Sequence, residues 1–383
     1  MRRVYLDHSA TTPVHKEVIK AMVESLTYNW GNPSSIYSIG QHAKKAVNIA
    51  RKQVAILVGA NPEEIYFTSS GTEADNLALI GVALAASGKK RHIITSAIEH
   101  HAVLHTCAFL EKKGIFVTYL PVDKHGLVNP DDVEKALTDD TILVSVMHAN
   151  NEIGTIQPIR EISQLAKGRG AYFHTDAVQT FGKIPVSVND LGIDLLSASA
   201  HKIYGPKGIG CLYIRKGTAI HPTMFGGKQE ANYRSGTENV VGIVGFGQAA
   251  QLANQYLDTE SGNIQRLGKI LEERITSEIS DVIINGHPTE RLPGHLNLTF
   301  KNIEGEALLF NLDMKGISVS NGAACNSGSI EGSHVLSAIG LPQEVIRGSI
   351  RITLGHSNTE EEIDYVIKEL TTVLKKLRLM RTR

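Results

Sequence analysis

The chain has 383 residues, 42% hydrophobic and 20% charged, the composition of an ordinary globular protein but long for one core, so two domains are expected. Lys plus Arg equals Asp plus Glu at 39 each, which leaves no charge excess to argue for direct nucleic-acid binding. No apolar run approaches the ~20 residues of a membrane span, Met1-Arg2-Arg3-Val4 lacks an apolar signal region, and three cysteines fit a reducing compartment, so a cytoplasmic protein away from membranes is expected.

From about residue 60 to 215 apolar strand patterns alternate with helical ones. Strands are predicted over Ile65–Thr68, His92–Thr95, Phe116–Tyr119, Leu143–Met147, Tyr172–Thr175 and Leu195–Ser197, with a further one near Gly208–Ile214. The helical patterns between them are Glu73–Ala86, His100–Lys113, Pro130–Leu137 and Ile159–Lys167. This alternation predicts an α/β fold, a mostly parallel sheet with helices on both faces, with ligands at the carboxyl ends of the strands. An apolar helix over Val240–Gln255 leads out of that unit. The pattern then changes: a strand at Leu296–Phe300, a helix at Gly305–Asp313, a strand at Ile350–Leu354, and a last helix opened by the capping box Thr359-Glu360-Glu361-Glu362. The basic residues Lys375, Lys376, Arg378, Arg381 and Arg383 read as the cationic end of that helix. The expected domains are 14–255 and a smaller α+β domain, 256–383 joined by 1–13.

Three segments carry chemistry. Thr68-Ser69-Ser70-Gly71-Thr72-Glu73-Ala74 joins a strand to a helix start, so Gly71, Thr72 and the first free N–H groups can face an anion; a plain N-cap is the simpler alternative. Asp176 follows a strand, with Gln179 one turn on; it could cap a helix or ligate a metal. Lys202 sits in Ser197-Ala198-Ser199-Ala200-His201-Lys202, where the small residues imply close approach to the backbone, and Ser199 and His201 could complete a phosphate cradle. A lysine amine that holds an aldehyde as a Schiff base, paired with a carboxylate that keeps a pyridine nitrogen protonated, is what pyridoxal 5'-phosphate needs. The His100, His101, His105 group lacks the glutamate of a His-Glu-x-x-His pattern, so no metal is expected. Cys107 falls on an apolar helical face and Cys211 in a buried strand, so both read as core. Cys325 lies in the small, polar, Gly-containing loop Ser320–Ser329, where nucleophilic thiol chemistry is possible.

The segment Ser199–Gly210 resembles the lysine segment of cysteine desulfurases of the NifS/IscS type, in the class V aminotransferase group of fold-type I pyridoxal phosphate enzymes. Matching motifs run in order along nearly the whole chain: Tyr5–Thr12, Gly31–Ser35, Thr68–Asn76, Glu99-His100, His148–Gly154, Asp176–Gln179, Arg234–Thr237, the Cys325 region and Arg351. The resemblance implies the pyridoxal phosphate transferase fold type I, with residues 14–255 binding the cofactor and the smaller domain carrying the catalytic cysteine. It implies that Lys202 carries the Schiff base, Asp176 pairs with the pyridine nitrogen, Gln179 bonds the ring hydroxyl, and His100 stacks on the ring and moves protons. It implies that Gly71, Thr72, Ser199 and His201 form the phosphate end, with Thr237 reaching over from the neighbouring subunit of a homodimer. Asn151 would contact the ring hydroxyl or the substrate, and Arg351, assisted by Asn32, would grip the carboxylate of L-cysteine.

The cofactor residues alone leave an aminotransferase or a selenocysteine lyase open. The choice of desulfurase rests on Cys325, whose loop resembles the family's persulfide loop, with Asn321, Ala323 and Asn326 in place of the usual Ser, Ser and Thr. By that resemblance Cys325 takes the sulfur as a persulfide, alanine is released, and the sulfur passes to an acceptor such as an iron–sulfur scaffold protein or a tRNA-thiolation relay.

Overall fold

Neighbouring residues of one strand bury on opposite sides of the main sheet, as period-2 alternation demands. Ile93, Leu143, Leu195 and Leu212 join one apolar cluster, while Ile94, Val144, Leu196 and Cys211 join another. A computed structural model describes residues 2–86, 91–321 and 332–381. Cys325, on which the choice of reaction rests, lies outside the described residues.

The strands are β1 (Val4–Tyr5), β2 (Ile65–Thr68), β3 (His92–Ser96), β4 (Phe116–Leu120), β5 (Thr141–Ser145), β6 (Tyr172–Asp176), β7 (Leu195–Ser199), β8 (Gly210–Ile214), β9 (Val282–Asn285), β10 (His295–Phe300), β11 (Ile317–Ser318) and β12 (Ser349–Thr353). The helices are α1 (Lys16–Tyr28), α2 (Ser38–Val58), α3 (Gly71–Ala85), α4 (His101–Glu111), α5 (Pro130–Ala136), α6 (Ile159–Gly168), α7 (Val240–Glu278), α8 (Gly305–Asp313), α9 (His334–Ala338), α10 (Gln343–Ile346) and α11 (Glu360–Arg381). Seven strands form the large sheet in the order β2-β8-β7-β6-β5-β3-β4, and only β8 runs antiparallel to its neighbours. Helices α3 and α4 cover one face, and α2, α6 and the start of α7 cover the other. This is the α/β architecture expected from the alternation of patterns.

A third apolar cluster gathers Leu267, Leu271 and Ile275 of α7 with β10, β12 and α11. Val4 and Leu6 belong to it, so the N-terminus packs with the C-terminal residues. The antiparallel β12-β10-β9 sheet lies here, and β1 pairs with β11. The Thr359 capping box forms as expected: Glu362 N–H donates to the Thr359 hydroxyl and Thr359 N–H to the Glu362 carboxylate.

Two elements differ from their predicted bounds for local reasons. The strand expected to reach Met147 ends at Ser145, because the Met147 N–H turns to the Glu99 carboxylate at 2.9 Å. The helix expected to stop at Gln255 continues to Glu278. No proline interrupts it, and its second half has its own buried stripe at Leu267, Leu271 and Ile275.

Candidate active site

The carboxyl ends of the central strands open onto a cavity of about 380 Å³. Ten of the residues singled out in the sequence line it: Gly71, Thr72, His100, Asn151, Asp176, Gln179, Ser199, His201, Lys202 and Arg351. They arrive on several different connections. β6 ends at Asp176, β7 ends at Ser199, and a single 3-10 turn over Ala200–Lys202 carries His201 and Lys202. The small residues before Lys202 are explained by the chain itself. A Cβ at Gly205 would fall 2.8 Å from Ala200, and one at Gly210 would fall 2.6 Å from the Ser70 backbone.

At one end of the cavity lies the N-terminus of α3. Ser70 is its N-cap, accepting the Glu73 N–H at 3.2 Å, so the capping alternative is true of Ser70. Gly71 and Thr72, one step on, present the unpaired end of the helix to the cavity, where an anion is stabilised. Gly71 has no room for a side chain: a Cβ would meet Val178 Cγ2 at 2.6 Å. His201 and Ser199 sit at the same cavity, and His201 Nδ1 lies 3.1 Å from the Thr11 hydroxyl.

The buried Asp176 carboxylate accepts the Val178 N–H through Oδ1 at 2.9 Å. Burial raises its pKa to about 6, against the lowering effects of that bond and of Lys202. Buried Asp75 lies beside it and is pushed well above the usual carboxyl range, first by burial and then by Asp176. Asp75, His100 and Asp176 offer donor atoms within 4.8 Å of one another. His100 caps α4 by accepting the Ala102 N–H at Nδ1, 3.1 Å, which assigns its proton to Nε2. Burial, then Lys202, lowers its pKa to about 4, so it is neutral at pH 7.

Lys202 Nζ donates to the Ser9 carbonyl and, at 2.8 Å, to the Ala10 carbonyl. Gln179 Nε2 also donates to Ser9, at 3.0 Å. The Tyr5–Thr12 segment thus builds the site directly, a role its small polar run did not by itself reveal. Arg351 is buried on β12 and donates to the Asn151 carbonyl at 2.8 Å and to Asp7 Oδ1 at 2.6 Å. Its buried Nε has no hydrogen-bond partner among the described residues. Asp7 was not foreseen as a site residue.

Two expected residues lie elsewhere in the chain. Asn32 occupies an exposed turn in which its side chain accepts the Ser34 N–H, outside the cavity. Thr237 is exposed beside a separate pocket with Ser69 and Glu230, and its loop is tethered to α3 by the Arg234–Glu73 ion pair at 2.8 Å. Cys107 and Cys211 are fully buried, and burial raises both thiols, Cys107 to about 12.

A strand-end acid, a lysine on the next turn and an open helix N-terminus around one cavity define a class of fold. Residues 4–366 match the family model described as aminotransferase class-V. The chain is 55% identical to the cysteine desulfurase IscS of Methanosarcina thermophila, over 99% of this chain and 94% of that one. It is likewise 55% identical to the cysteine desulfurase IscS of Dictyoglomus turgidum, over 98% and 96%. Among solved structures it superposes on a NifS-like protein with a TM-score of 0.92, 41% identity, and coverage of 98% of this chain and 100% of that one. A structure titled SspA in complex with cysteine gives a TM-score of 0.83 at 39% identity, covering 93% and 99%. The chain belongs to the aminotransferase class-V family, and within it to the cysteine desulfurases.

Proposed function

We propose that this cysteine desulfurase uses pyridoxal 5'-phosphate, held at Lys202, to move the sulfur of L-cysteine onto Cys325. The observation that carries the cofactor reading is the buried Asp176 carboxylate facing the same cavity as Lys202 and the α3 N-terminus. A carboxylate desolvated to this degree needs a cationic partner, and a protonated pyridine nitrogen supplies one. The same donor atoms on Asp75, His100 and Asp176 could ligate a cation, but a metal would leave the helix N-terminus and Lys202 without a role. When bound, the cofactor supplies an electron sink for the negative charge left at the substrate Cα.

Gly71, Thr72, Ser199 and His201 would hold the phosphate, Asp176 the pyridine nitrogen, Gln179 and Asn151 the ring oxygen, and neutral His100 the ring face. Arg351, which lines the cavity, binds the substrate carboxylate, a task that a planar guanidinium suits. The Lys202 amine accepts the Cα proton, and His100 Nε2–H is placed to pass protons at the ring. The Cys325 thiolate attacks the substrate sulfur; the S–Cβ bond breaks, Cys325 keeps the sulfur as a persulfide, and protonation at Cβ leads to alanine. An acceptor protein such as an iron–sulfur scaffold would then take the sulfur from Cys325.

We also infer that residues 14–255 form the cofactor-binding domain and 256–383 with 1–13 the second. A homodimer is favoured by a row of exposed apolar residues on and between α1 and α2. Tyr28, Trp30 and Ile36 are 72%, 69% and 94% exposed, beside Val23, Leu26 and Tyr37. In such a dimer, by the resemblance to the family, Thr237 would reach its neighbour's phosphate site. No helix among the described residues is long and apolar enough to cross a membrane, and the buried state of Cys107 and Cys211 suits a cytoplasmic location.

The deciding experiment supplies L-cysteine and a reductant and measures alanine and sulfide for wild type and Cys325→Ala. Loss of both products in the variant is expected. Equal sulfide from both would remove Cys325 from the reaction, and alanine-free turnover of another amino acid would point to an aminotransferase.

A further inference from the structure

Beside the cavity that holds Lys202 lies a second, smaller one of about 60 Å³, lined by His8, Thr12, Lys183, Tyr204, Glu260 and His295 among others. Lys183 is the cation here, and it makes no ion pair among the described residues. Its environment is poor for a purely structural lysine, which normally keeps its head in water or against a carboxylate. Desolvation, then repulsion from Lys202 and Arg351, lowers its pKa to about 7. The groups that face it offer little compensation. His8 from the N-terminal segment and His295 from β10 are both driven neutral by burial. Tyr204, beyond Lys202, is raised by burial, and so is Glu260 on α7.

What Lys183 does engage is Gln179. Its Nζ donates to Gln179 Oε1 at 3.2 Å, while Gln179 Nε2 donates to the Ser9 carbonyl at 3.0 Å. An amine of this kind serves Gln179 as a donor, and a carbonyl only accepts. The two partners therefore fix the amide the same way round. A flipped amide would set oxygen against oxygen at Ser9 and NH₂ against the Lys183 amine. One Nε2 proton goes to Ser9, and the other is left for a ligand in the larger cavity that Gln179 also lines.

We propose that Lys183 is a positioning residue: it holds Gln179 with its donor edge toward the ring oxygen of the cofactor and thereby favours the deprotonated form of that ring system. The proposal rests on the cofactor reading above and adds to it a residue that touches neither cofactor nor substrate. A fixed N–H donor stabilises the deprotonated oxygen, so removing Lys183, which holds that donor in place, disfavours it.

The test uses the holoenzyme loaded with pyridoxal 5'-phosphate, with the visible band of the bound cofactor titrated against pH and cofactor release followed by dialysis. Lys183→Met is expected to raise the midpoint of the band by about one pH unit and to weaken cofactor retention about five- to tenfold. Lys183→Arg, whose longer head group has the adjacent cavity to enter, is expected to stay near wild type. In a Gln179→Leu background the Lys183→Met change is expected to add no further shift, as coupled partners require. Should circular dichroism show Lys183→Met unfolded, Lys183→Gln, neutral but still a donor, is expected to move the midpoint the same way by less. An unmoved midpoint and unchanged retention in the folded variant would overturn the proposal. So would an equal shift with and without Gln179, since the effect would then bypass that residue. If no variant, wild type included, shows a visible band, the cofactor reading falls together with the proposal.

Discussion

Asp176→Asn should make the cofactor-free enzyme more stable while disabling the loaded one. Burial holds the folded-state pKa of Asp176 at about 6, above its usual 3.8. The folded chain therefore binds that proton more tightly than the unfolded chain does. Stability is consequently lost as pH rises from about 4 through about 6, and the whole penalty is present at pH 7 and above. The difference corresponds to about 3 kcal/mol, and relief of the neighbouring Asp75, which Asp176 also pushes upward, acts in the same direction. Asparagine keeps the acceptor for the Val178 N–H but brings an NH₂ that needs a partner, at a cost of about 1 kcal/mol or more. A net gain of about 2 kcal/mol remains, a rise of roughly 4 °C or more in melting temperature for a domain of this size. The assay is thermal unfolding of cofactor-stripped wild type and variant at pH 8, 6 and 4. The gap should be widest at pH 8 and close at pH 4. Added pyridoxal phosphate should then raise the wild-type melting temperature more than that of the variant. Turnover of L-cysteine by the loaded variant should fall at least about a hundredfold, because a preorganised charge is missing where charge develops. A stripped variant no more stable than wild type at pH 8, or a gap that persists at pH 4, would refute the electrostatic account of Asp176.

Arg351→Lys should raise KM for L-cysteine by about two orders of magnitude while leaving the spectrum of bound cofactor unchanged, because an ammonium cannot replace the fork already shared with Asp7 and Asn151; steady-state kinetics with a spectrum of the resting enzyme reads both. Gly71→Ala pushes a methyl group against Val178 Cγ2, so about 1–3 kcal/mol of overpacking strain is expected, with faster loss of cofactor on dialysis. Glu230 receives both Arg51 nitrogens at 2.7 Å and the Phe67 N–H at 2.8 Å in a buried site. Glu230→Gln should destabilise by about 3–5 kcal/mol, visible as an early calorimetric transition; an unchanged profile would mean the pair contributes nothing.

How much of this was readable in the sequence depends on the range of the physics involved. Strand and helix patterns from 65 to 215 are written in local periodicity, and the main sheet follows them nearly residue for residue. The motifs at Thr68–Ala74, Asp176 and Lys202 carry short-range turn chemistry, so they too could be placed. Helices α1 and α2 escaped notice, since their apolar residues are divided between a buried stripe and an exposed row, with Val18 inside and Val23 and Leu26 outside. The continuation of α7 past Gln255 depends on the second core that receives Leu267 and Leu271, a partner no local window contains. Asp7 and Ser9 are the clearest omissions. They act on residues more than 190 positions away, through a carboxylate to Arg351 and a carbonyl to Lys202, and a backbone acceptor has no residue type to betray it.

The charges around the cavity explain why so many of its groups sit outside their ordinary titration ranges. Asp75, Glu99 and Asp176 are buried acids raised by desolvation, and Asp176 pushes the other two further up. His100 and His201 are driven neutral by burial and by Lys202, while Lys183 is depressed by burial and then by Lys202 and Arg351. A core optimised for stability alone would pair or discard these groups. Here acids collect around Asp176, while Lys202 and Arg351 act on Lys183 close by. A ligand carrying a protonated ring nitrogen near the acids and anionic oxygens near the cations and the helix N-terminus would relieve both halves at once. Strain of this kind predicts that cofactor binding and folding stability are tightly linked in this chain, and that neutralising Asp176 or Asp75 singly will raise the stability of the stripped protein while lowering its affinity for the cofactor.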